Sequence, residues 1–224
     1  MINQRLLDYA ESHTSLEYPV LEALNRETNL TQTAPQMLAG HVQGVFLRMI
    51  SQMIRPQRIL EIGTFTGYSA INLAYGLAAP PPTPPHTGRG VGHGVLHTID
   101  VNPEQEEIIR KYIRKAGFED RIILHIGEAL KIIPTLNESW DLVYIDADKE
   151  NYLNYYKMLI DRLRPGSFIL ADNALWDGKV VQERNKMDKE TLGIVEFNDF
   201  VNRDERVENM ILPLRDGIMM IRKK

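Results

Sequence analysis

The sequence has no cysteine among its 224 residues. This absence excludes disulfide bonds, thiolate metal sites and cysteine nucleophiles together, so any metal ion must be held by oxygen atoms or imidazole nitrogens. Long apolar runs are also missing: no stretch approaches the ~20 apolar residues of a membrane-spanning helix, and the first residues lack the apolar centre of a signal peptide. We therefore expect a cytoplasmic protein with no membrane partner.

A large excess of one charge is missing as well. The chain has 26 basic and 30 acidic residues, a formal net charge of −4, which does not indicate a nucleic-acid-binding protein, although a local basic patch remains compatible with it. Hydrophobic residues make up 43% and charged residues 25%, values typical of a soluble globular protein. The length suits one α/β domain, and we predict a single domain over residues 1–224.

Apolar residues are instead arranged in two patterns along the chain. In residues 1–54 they recur at three- and four-residue intervals, which predicts a helical N-terminal segment. From Arg58 onward short apolar runs alternate with amphipathic stretches, which predicts a mostly parallel sheet with helices on both faces. The predicted strands are RILEIG, VLHTID, RIILHIG, LVYIDAD and SFILADN, and the predicted helices are residues 67–78, 103–117, 128–137 and 150–163.

Two turn-rich segments interrupt these patterns. Apolar runs on both sides of Arg215-Asp216-Gly217 predict an antiparallel hairpin at the C-terminal edge of the sheet. Residues 79–94, APPPTPPHTGRGVGHG, are rich in proline and glycine. We predict that they form an exposed insertion loop, because a helix and a strand usually need only about 2–6 connecting residues.

The first predicted strand ends in a glycine turn, LEIGTFTGYS. Gly63 allows a ligand to approach the backbone closely, at the strand ends where open α/β sheets bind their ligands. A G-x-G-x-x-G dinucleotide register is absent, because Glu61 and Thr66 occupy two of its positions. An acidic residue here suits a ligand with a positively charged end, such as the sulfonium and amino groups of S-adenosylmethionine (SAM).

Later strand ends offer further groups to a nucleoside. Asp100 closes VLHTID and is placed to accept hydrogen bonds from two ribose hydroxyls. Its alternative role is to cap the helix that follows Pro103, and both roles can hold at once. Glu128 and Ala129, in GEAL after the third strand, offer backbone groups and a small side chain where an adenine would lie.

The two following strand ends concentrate oxygen ligands. Asp146 follows the fourth strand and the pair Asp172-Asn173 follows the fifth. Neighbouring parallel strands lie ~4.8 Å apart, so these three oxygens converge and suit a hard divalent cation. The alternative is that Asp146 and Asp148 only cap a helix and that Asp172-Asn173 only forms a turn. Two such clusters on adjacent strands, after a cofactor-type turn, favour the cation site.

Four strings in order resemble a known family: EIGTFTGYSAINLA, IDVNPE, LVYIDADKENYLNYY and LADNALWDGKV. They are similar to the class I SAM-dependent O-methyltransferases of the cation-dependent group, which includes caffeoyl-CoA and catechol O-methyltransferases. The similarity runs from about Met37 to the C-terminus. It implies a Rossmann-like seven-stranded sheet, SAM as cofactor, a divalent cation (Mg²⁺, or Mn²⁺ or Ca²⁺) and a homodimer.

The resemblance also implies roles for individual residues. Asp146, Asp172 and Asn173 are the metal ligands, and Lys149 occupies the place of the proposed general base. The implied cofactor contacts are Met37, Glu61, Gly63, Ser69, Asp100, Glu128, Ala129, Asp146, Asp148 and Tyr155. Independently of the resemblance, Tyr152, Tyr155 and Tyr156 are candidates for an aromatic wall, and at their helical spacing one or two of them are equally candidates for the core. On the substrate side we name Trp176, Asp177 and His41; the plant enzymes typically have Asn where Asp177 stands, so their substrate is not carried over.

We therefore predict methyl transfer from SAM to a hydroxyl of a small aromatic vicinal diol. One alternative is methylation of a wobble hydroxyuridine in tRNA, which would need a basic surface built from residues such as Arg48, Arg55, Arg58, Lys179 and Arg184. The other alternative is a protein that binds SAM without catalysis. Binding alone would not need Lys149 together with the metal ligands.

Overall fold

The computed structural model describes residues 4–79 and 93–224. The predicted insertion loop, residues 79–94, falls almost entirely outside these ranges and stays a prediction. Three helices open the described chain: α1 (Gln4–Ser12), α2 (Pro19–Thr31) and α3 (His41–Ile54). Pro19 at the start of α2 and Gly40, with a φ of 78°, just before α3 divide the predicted helical segment into separate helices.

The strands of the described chain form one sheet. They are β1 (Arg58–Ile62), β2 (Val95–Asp100), β3 (Ile122–Ile126), β4 (Trp140–Ile145), β5 (Leu163–Ala171), β6 (Val207–Leu212) and β7 (Ile218–Lys223). Their order is β3-β2-β1-β4-β5-β7-β6. The first five pair in parallel, and β7 runs antiparallel to both β5 and β6. The predicted mostly parallel sheet with a C-terminal hairpin is confirmed.

Helices connect the strands and cover both faces of the sheet. Four of them lie within the predicted helical stretches and are shorter than those stretches: α4 (Tyr68–Ala74), α5 (Glu106–Lys115), α6 (Ala129–Ile132) and α7 (Tyr152–Leu159). The structure adds α8 (Lys189–Arg203), which the sequence analysis does not predict. Asp188 caps α8 by accepting the N–H of Thr191 at 2.7 Å. In the described part of the chain no helix is long and apolar enough to cross a membrane.

Alternating side chains of the strands enter two separate layers of the core. Ile59 and Leu142 pack on one face with the helices α2 to α5, whereas Leu60 and Val143 pack on the other with α6 to α8. All four are fully buried. A sheet covered on both faces leaves its strand ends as the natural place for a ligand.

Candidate active site

A cavity of about 1020 Å³ lies at the carboxyl ends of the parallel strands. The strand order reverses here, because β1 lies between β2 and β4, and such a reversal is where open α/β sheets bind ligands. Most of the predicted site residues line the cavity: Met37, Gly63, Ser69, Asp100, Glu128, Ala129, Asp146, Asp148, Lys149, Tyr155, Asp172, Asn173 and Trp176. Glu61, His41 and Asp177 do not.

Asp100 holds the glycine turn that follows β1. Its Oδ2 accepts the backbone N–H groups of Thr64 at 3.1 Å and Phe65 at 2.7 Å, and its Oδ1 accepts that of Asn102 at 2.8 Å. The helical turn at Pro103–Gln105 is capped by Asn102, whose side chain accepts the N–H of Glu104. Asn102, and not Asp100, therefore caps this helical turn, which corrects the alternative role predicted for Asp100. Its carboxylate lines the cavity in a fixed orientation, and the ribose contact stays a prediction.

Glu61 lies behind the cavity wall rather than in it. Its side chain is 0% exposed, because it lies on the same face of β1 as Ile59, the face that helices α2 to α5 cover. Oε2 accepts a hydrogen bond from the Thr98 hydroxyl, while Oε1 has no partner among the described residues. Burial raises the pKa of Glu61 to about 8. The cofactor contact of Glu61 stays a prediction, and in this structure its carboxyl group is buried and does not line the cavity.

Two carboxylates face each other at the ends of β4 and β5. Asp172 is 5% exposed, and its Oδ2 accepts hydrogen bonds from Gln43 at 2.5 Å and from the Tyr144 hydroxyl at 2.9 Å. Burial raises the pKa of Asp172, and the negative charge of Asp146 raises it further. The two like charges therefore destabilise each other, and a cation placed beside them would remove that repulsion.

Asn173 supplies the third candidate ligand. Its backbone is left-handed, with a φ of 59°, and its side chain lines the cavity. Within residues 4–79 and 93–224 no three His, Asp or Glu side chains form a group that could hold a metal ion, so the site depends on this amide. Two carboxylates and an amide are an all-oxygen set, which fits a hard cation such as Mg²⁺ or Mn²⁺ better than a softer metal.

Lys149 is fixed beside the carboxylate pair. It is 7% exposed and lies in the short helical turn Lys149–Asn151. Its Nζ donates to Oδ1 of Asp146 at 3.0 Å and to the Tyr152 hydroxyl at 2.8 Å. The ring centroid of Trp176 is 5.6 Å from the same nitrogen. These contacts hold the amine at the cavity, next to the candidate metal ligands.

The predicted cofactor contacts occupy the remaining cavity wall. Oδ1 of Asp148 accepts the Tyr155 hydroxyl at 2.5 Å. Of the three tyrosines proposed as an aromatic wall, Tyr155 lines the cavity, whereas Tyr152 and Tyr156 are buried in the core. Glu128 also lines the cavity, and its carboxylate pairs with Lys131 at 2.6 Å.

The segment before α3 forms another part of the wall. Met37 lies in the turn Pro35–Met37 and is 60% exposed although it lines the cavity. An exposed apolar side chain in this position is available for contact with a ligand. Ser69, near the start of α4, lines the cavity as a buried residue.

His41 and Asp177, both predicted on the substrate side, lie elsewhere. The His41 ring donates from Nε2 to the carbonyl of Ser15 at 2.7 Å, so it ties the start of α3 to the segment between α1 and α2. Asp177 is exposed, and its backbone N–H donates to the Asp216 carboxylate. Neither side chain lines the cavity, and their substrate contacts stay predictions.

Two cavity residues in the turn between β6 and β7 were not among the predicted site residues. Asp216 accepts the Nδ2–H of Asn173 at 3.2 Å, and Arg215 donates from Nη1 to the carbonyl of Leu38 at 3.0 Å. The sequence signal that could have identified these two residues is the hairpin pattern around Arg215-Asp216-Gly217. Had β7 been placed next to β5, its turn would have been expected beside the end of β5.

Comparisons with known proteins agree with this architecture. A model of the O-methyltransferase family matches residues 11–224. The caffeoyl-CoA O-methyltransferase 1 of Eucalyptus globulus is 36% identical over 191 residues, which cover 81% of this chain and 72% of that protein. The caffeoyl-CoA O-methyltransferase of Petroselinum crispum is 34% identical over 215 residues, covering 90% of this chain and 84% of that protein.

Solved structures give the same result. An O-methyltransferase from Bacillus cereus in complex with SAH superposes with a TM-score of 0.84 at 28% identity, covering 97% of this chain and 96% of that one. The O-methyltransferase TomG from Streptomyces achromogenes, in complex with SAM, superposes with a TM-score of 0.86 at 26% identity, covering 100% and 99%.

Proposed function

The chain belongs to the O-methyltransferase family and is a SAM-dependent O-methyltransferase of the caffeoyl-CoA type, and we propose that it methylates a hydroxyl of a small aromatic vicinal diol with the help of a divalent cation. The observation that carries the proposal is the convergence of Asp146, Asp172, Asn173 and Lys149 on one cavity. Cofactor binding alone does not need Asp172, Asn173 or Lys149.

Asp146, Asp172 and Asn173 would hold the cation. When bound, such a cation lowers the pKa of a substrate hydroxyl and fixes the direction of its oxygen. The cofactor supplies the methyl group. Asp100 offers its carboxylate to the cofactor, and the exposed Met37 side chain offers it an apolar surface at the cavity wall.

Lys149 is the proposed proton acceptor. In its neutral form the amine has two N–H groups, which match the two acceptors Asp146 and Tyr152, and one lone pair that remains for a substrate proton. Burial excludes most competing water from Nζ. The nearby Trp176 ring provides a flat apolar surface that suits a planar aromatic acceptor.

A tRNA substrate is less well supported. Among the basic residues that a tRNA-binding surface would need, Arg48 is buried, and three others pair with carboxylates: Arg58, Lys179 and Arg184. The cavity is also lined by more acidic than basic side chains. An acidic cavity of this kind repels a phosphate backbone.

The test is methyl transfer from labelled SAM to a panel of catechols, to monohydroxylated analogues and to tRNA that carries an unmethylated wobble hydroxyuridine, each with Mg²⁺ and with excess chelator. We expect transfer to the vicinal diols only, and only with the cation. Transfer to tRNA but to no catechol would favour the alternative substrate. Catechol methylation that persists in excess chelator would refute the cation requirement.

A further inference from the structure

The turn between β6 and β7 is bonded to the loop that carries Asn173. Asp216 accepts the Nδ2–H of Asn173 at 3.2 Å with Oδ2 and the backbone N–H of Asp177 at 2.5 Å with Oδ1. Backbone hydrogen bonds add to this: the Ala174 N–H donates to the Gly217 carbonyl at 2.9 Å, and the Leu175 N–H donates to the Asp216 carbonyl at 2.8 Å. The turn and the loop therefore move as one unit.

The hydrogen-bonding chemistry of the Asp216 carboxylate determines the orientation of the Asn173 amide. An ionised carboxylate only accepts hydrogen bonds, so the Asn173 atom that faces Asp216 must be the NH₂ group. The carbonyl oxygen of the same amide then points away from Asp216. Without the carboxylate the amide could rotate by half a turn and present N–H groups, which cannot bind a cation, where an oxygen ligand is needed.

We propose that Asp216 is a positioning residue for the candidate cation site: it orients the Asn173 amide so that Oδ1, and not Nδ2, serves as the third ligand. The proposal rests on the proposed function in one respect, namely that Asp146, Asp172 and Asn173 hold a divalent cation. Outer partners that orient metal ligands commonly alter metal affinity about 10–100-fold when they are removed.

Backbone strain on both sides of this contact agrees with a functional constraint. Asn173 and Arg215 both have left-handed backbones, with φ of 59° and 50°, a conformation that costs energy in residues other than glycine. At Gly217, whose φ is 83°, a Cβ atom would lie 2.5 Å from Cγ of Leu175. The turn is thus built for close approach to the loop.

A double-mutant cycle on the full chain tests the proposal, with Mn²⁺ affinity measured by calorimetry in the absence of substrate. Asp216→Asn is expected to weaken Mn²⁺ binding roughly tenfold or more. In an Asn173→Asp background the ligand is a carboxylate, which presents oxygen in either orientation. There Asp216→Asn is expected to change Mn²⁺ affinity much less than in the native background, because either orientation of the carboxylate presents an oxygen to the cation.

The double-mutant cycle distinguishes an effect of Asp216 on the orientation of the Asn173 amide from an effect of its negative charge alone. A charge effect would weaken binding by the same factor in both backgrounds and would overturn the proposal, as would an unchanged affinity in the Asp216→Asn single variant. Glu119→Gln, an exposed acid that does not line the cavity, is the control and should bind Mn²⁺ like the native chain. Asp216→Glu keeps a carboxylate acceptor and provides a second test in case Asp216→Asn folds poorly. It should bind Mn²⁺ more tightly than Asp216→Asn does.

The outcome also separates this inference from the proposed function. A native chain that binds Mn²⁺ while Asp216→Asn binds it equally well refutes the positioning role alone. A native chain that does not bind Mn²⁺ at all refutes the cation site itself, and the positioning role with it.

Discussion

The backbone of Gly63 lies directly against the backbone of Asp146. A Cβ atom on Gly63 would be 1.9 Å from the Asp146 carbonyl oxygen and 2.7 Å from its carbonyl carbon. Since Gly63 belongs to the predicted cofactor turn and Asp146 to the candidate cation site, the two halves of the active site are in van der Waals contact. No other side chain fits at position 63 without moving the ends of β1 and β4 apart.

We therefore expect Gly63→Ala to damage cofactor binding, cation binding and folding together. Gly117→Ala is the matched control, because Gly117 also has a left-handed backbone, with a φ of 74°, but nothing lies within 4 Å of its would-be Cβ. The control should lose only about 1 kcal/mol of unfolding free energy, and Gly63→Ala several times more. Equal losses in urea denaturation would show that the steric contact is unimportant.

Asp172→Asn should separate turnover from cofactor binding. It removes one carboxylate of the candidate cation pair but leaves Gly63 and Asp100 in place. We expect turnover to fall to the level seen in excess chelator, while calorimetry detects SAM binding within about threefold of the native affinity, since a threefold change is less than 1 kcal/mol. Near-native turnover in this variant would contradict the assignment of Asp172 as a ligand.

Lys149→Met should keep the buried aliphatic stem and remove the proton acceptor. The expected loss in kcat is about 10²–10⁴-fold, the usual share of a positioned general base. The deficit should shrink as pH rises, because the substrate hydroxyl then ionises without help. Lys157→Met, on the exposed side of α7, is the control. A native rate at neutral pH would leave Lys149 as a purely structural residue.

Glu61 should make stability depend on pH. Its pKa in the folded protein is about 8, against an ordinary value of 4.5. Between these values the folded state keeps a proton that the unfolded state has lost, so the free energy of unfolding falls as pH rises, by up to ~1.4 kcal/mol per pH unit. In Glu61→Gln this contribution should be lost, so that the free energy of unfolding falls less steeply with pH than in the native chain.

Urea denaturation at several pH values between 5 and 8 measures the effect. The exposed acid Glu119 provides the control variant, Glu119→Gln, which should follow the native curve. If the native chain and Glu61→Gln showed parallel pH profiles, the raised pKa of Glu61 would be refuted.

Arg215→Met should loosen the segment before α3. The guanidinium of Arg215 is the group that bonds the Leu38 carbonyl, and Leu38 and Met37 both line the cavity. We expect faster amide hydrogen exchange in residues 34–40 and a severalfold weaker SAM affinity, the cost of one hydrogen bond to a charged group. Unchanged exchange in this segment would argue against the contact.

The strand ends that carry the site could be predicted from the sequence because buried parallel strands are continuous apolar runs. Each run ended in polar residues, and parallel pairing brings those ends to one edge. This logic placed Asp100, Asp146 and Asp172 at the cavity. It works because it needs only the direction of each strand and not the packing of side chains.

The positions that the sequence did not reveal depend on packing instead. Glu61 and Asp100 both lie at strand ends, and only the three-dimensional structure shows that one faces the core and the other the cavity. Asp216 reaches Asn173 because β7 inserts between β5 and β6, a placement that the local hairpin pattern does not specify. Helix α8 was predictable in principle, since Ile194, Phe197 and Val201 are buried at helical spacing.

Helix α8 also packs against the backbone of Lys149, the candidate base. A Cβ atom on Gly193 would lie 2.5 Å from the Lys149 carbonyl oxygen and 2.9 Å from Cα of Glu150, so the backbone of Lys149 rests on this helix. Helix α8 contributes Glu190 to the cavity lining, but none of the predicted cofactor contacts belongs to α8. Substitutions along α8 could thus shift the amine relative to an acceptor hydroxyl while SAM recognition is preserved. In evolutionary terms, the choice of acceptor can diverge in this fold without the methyl donor changing.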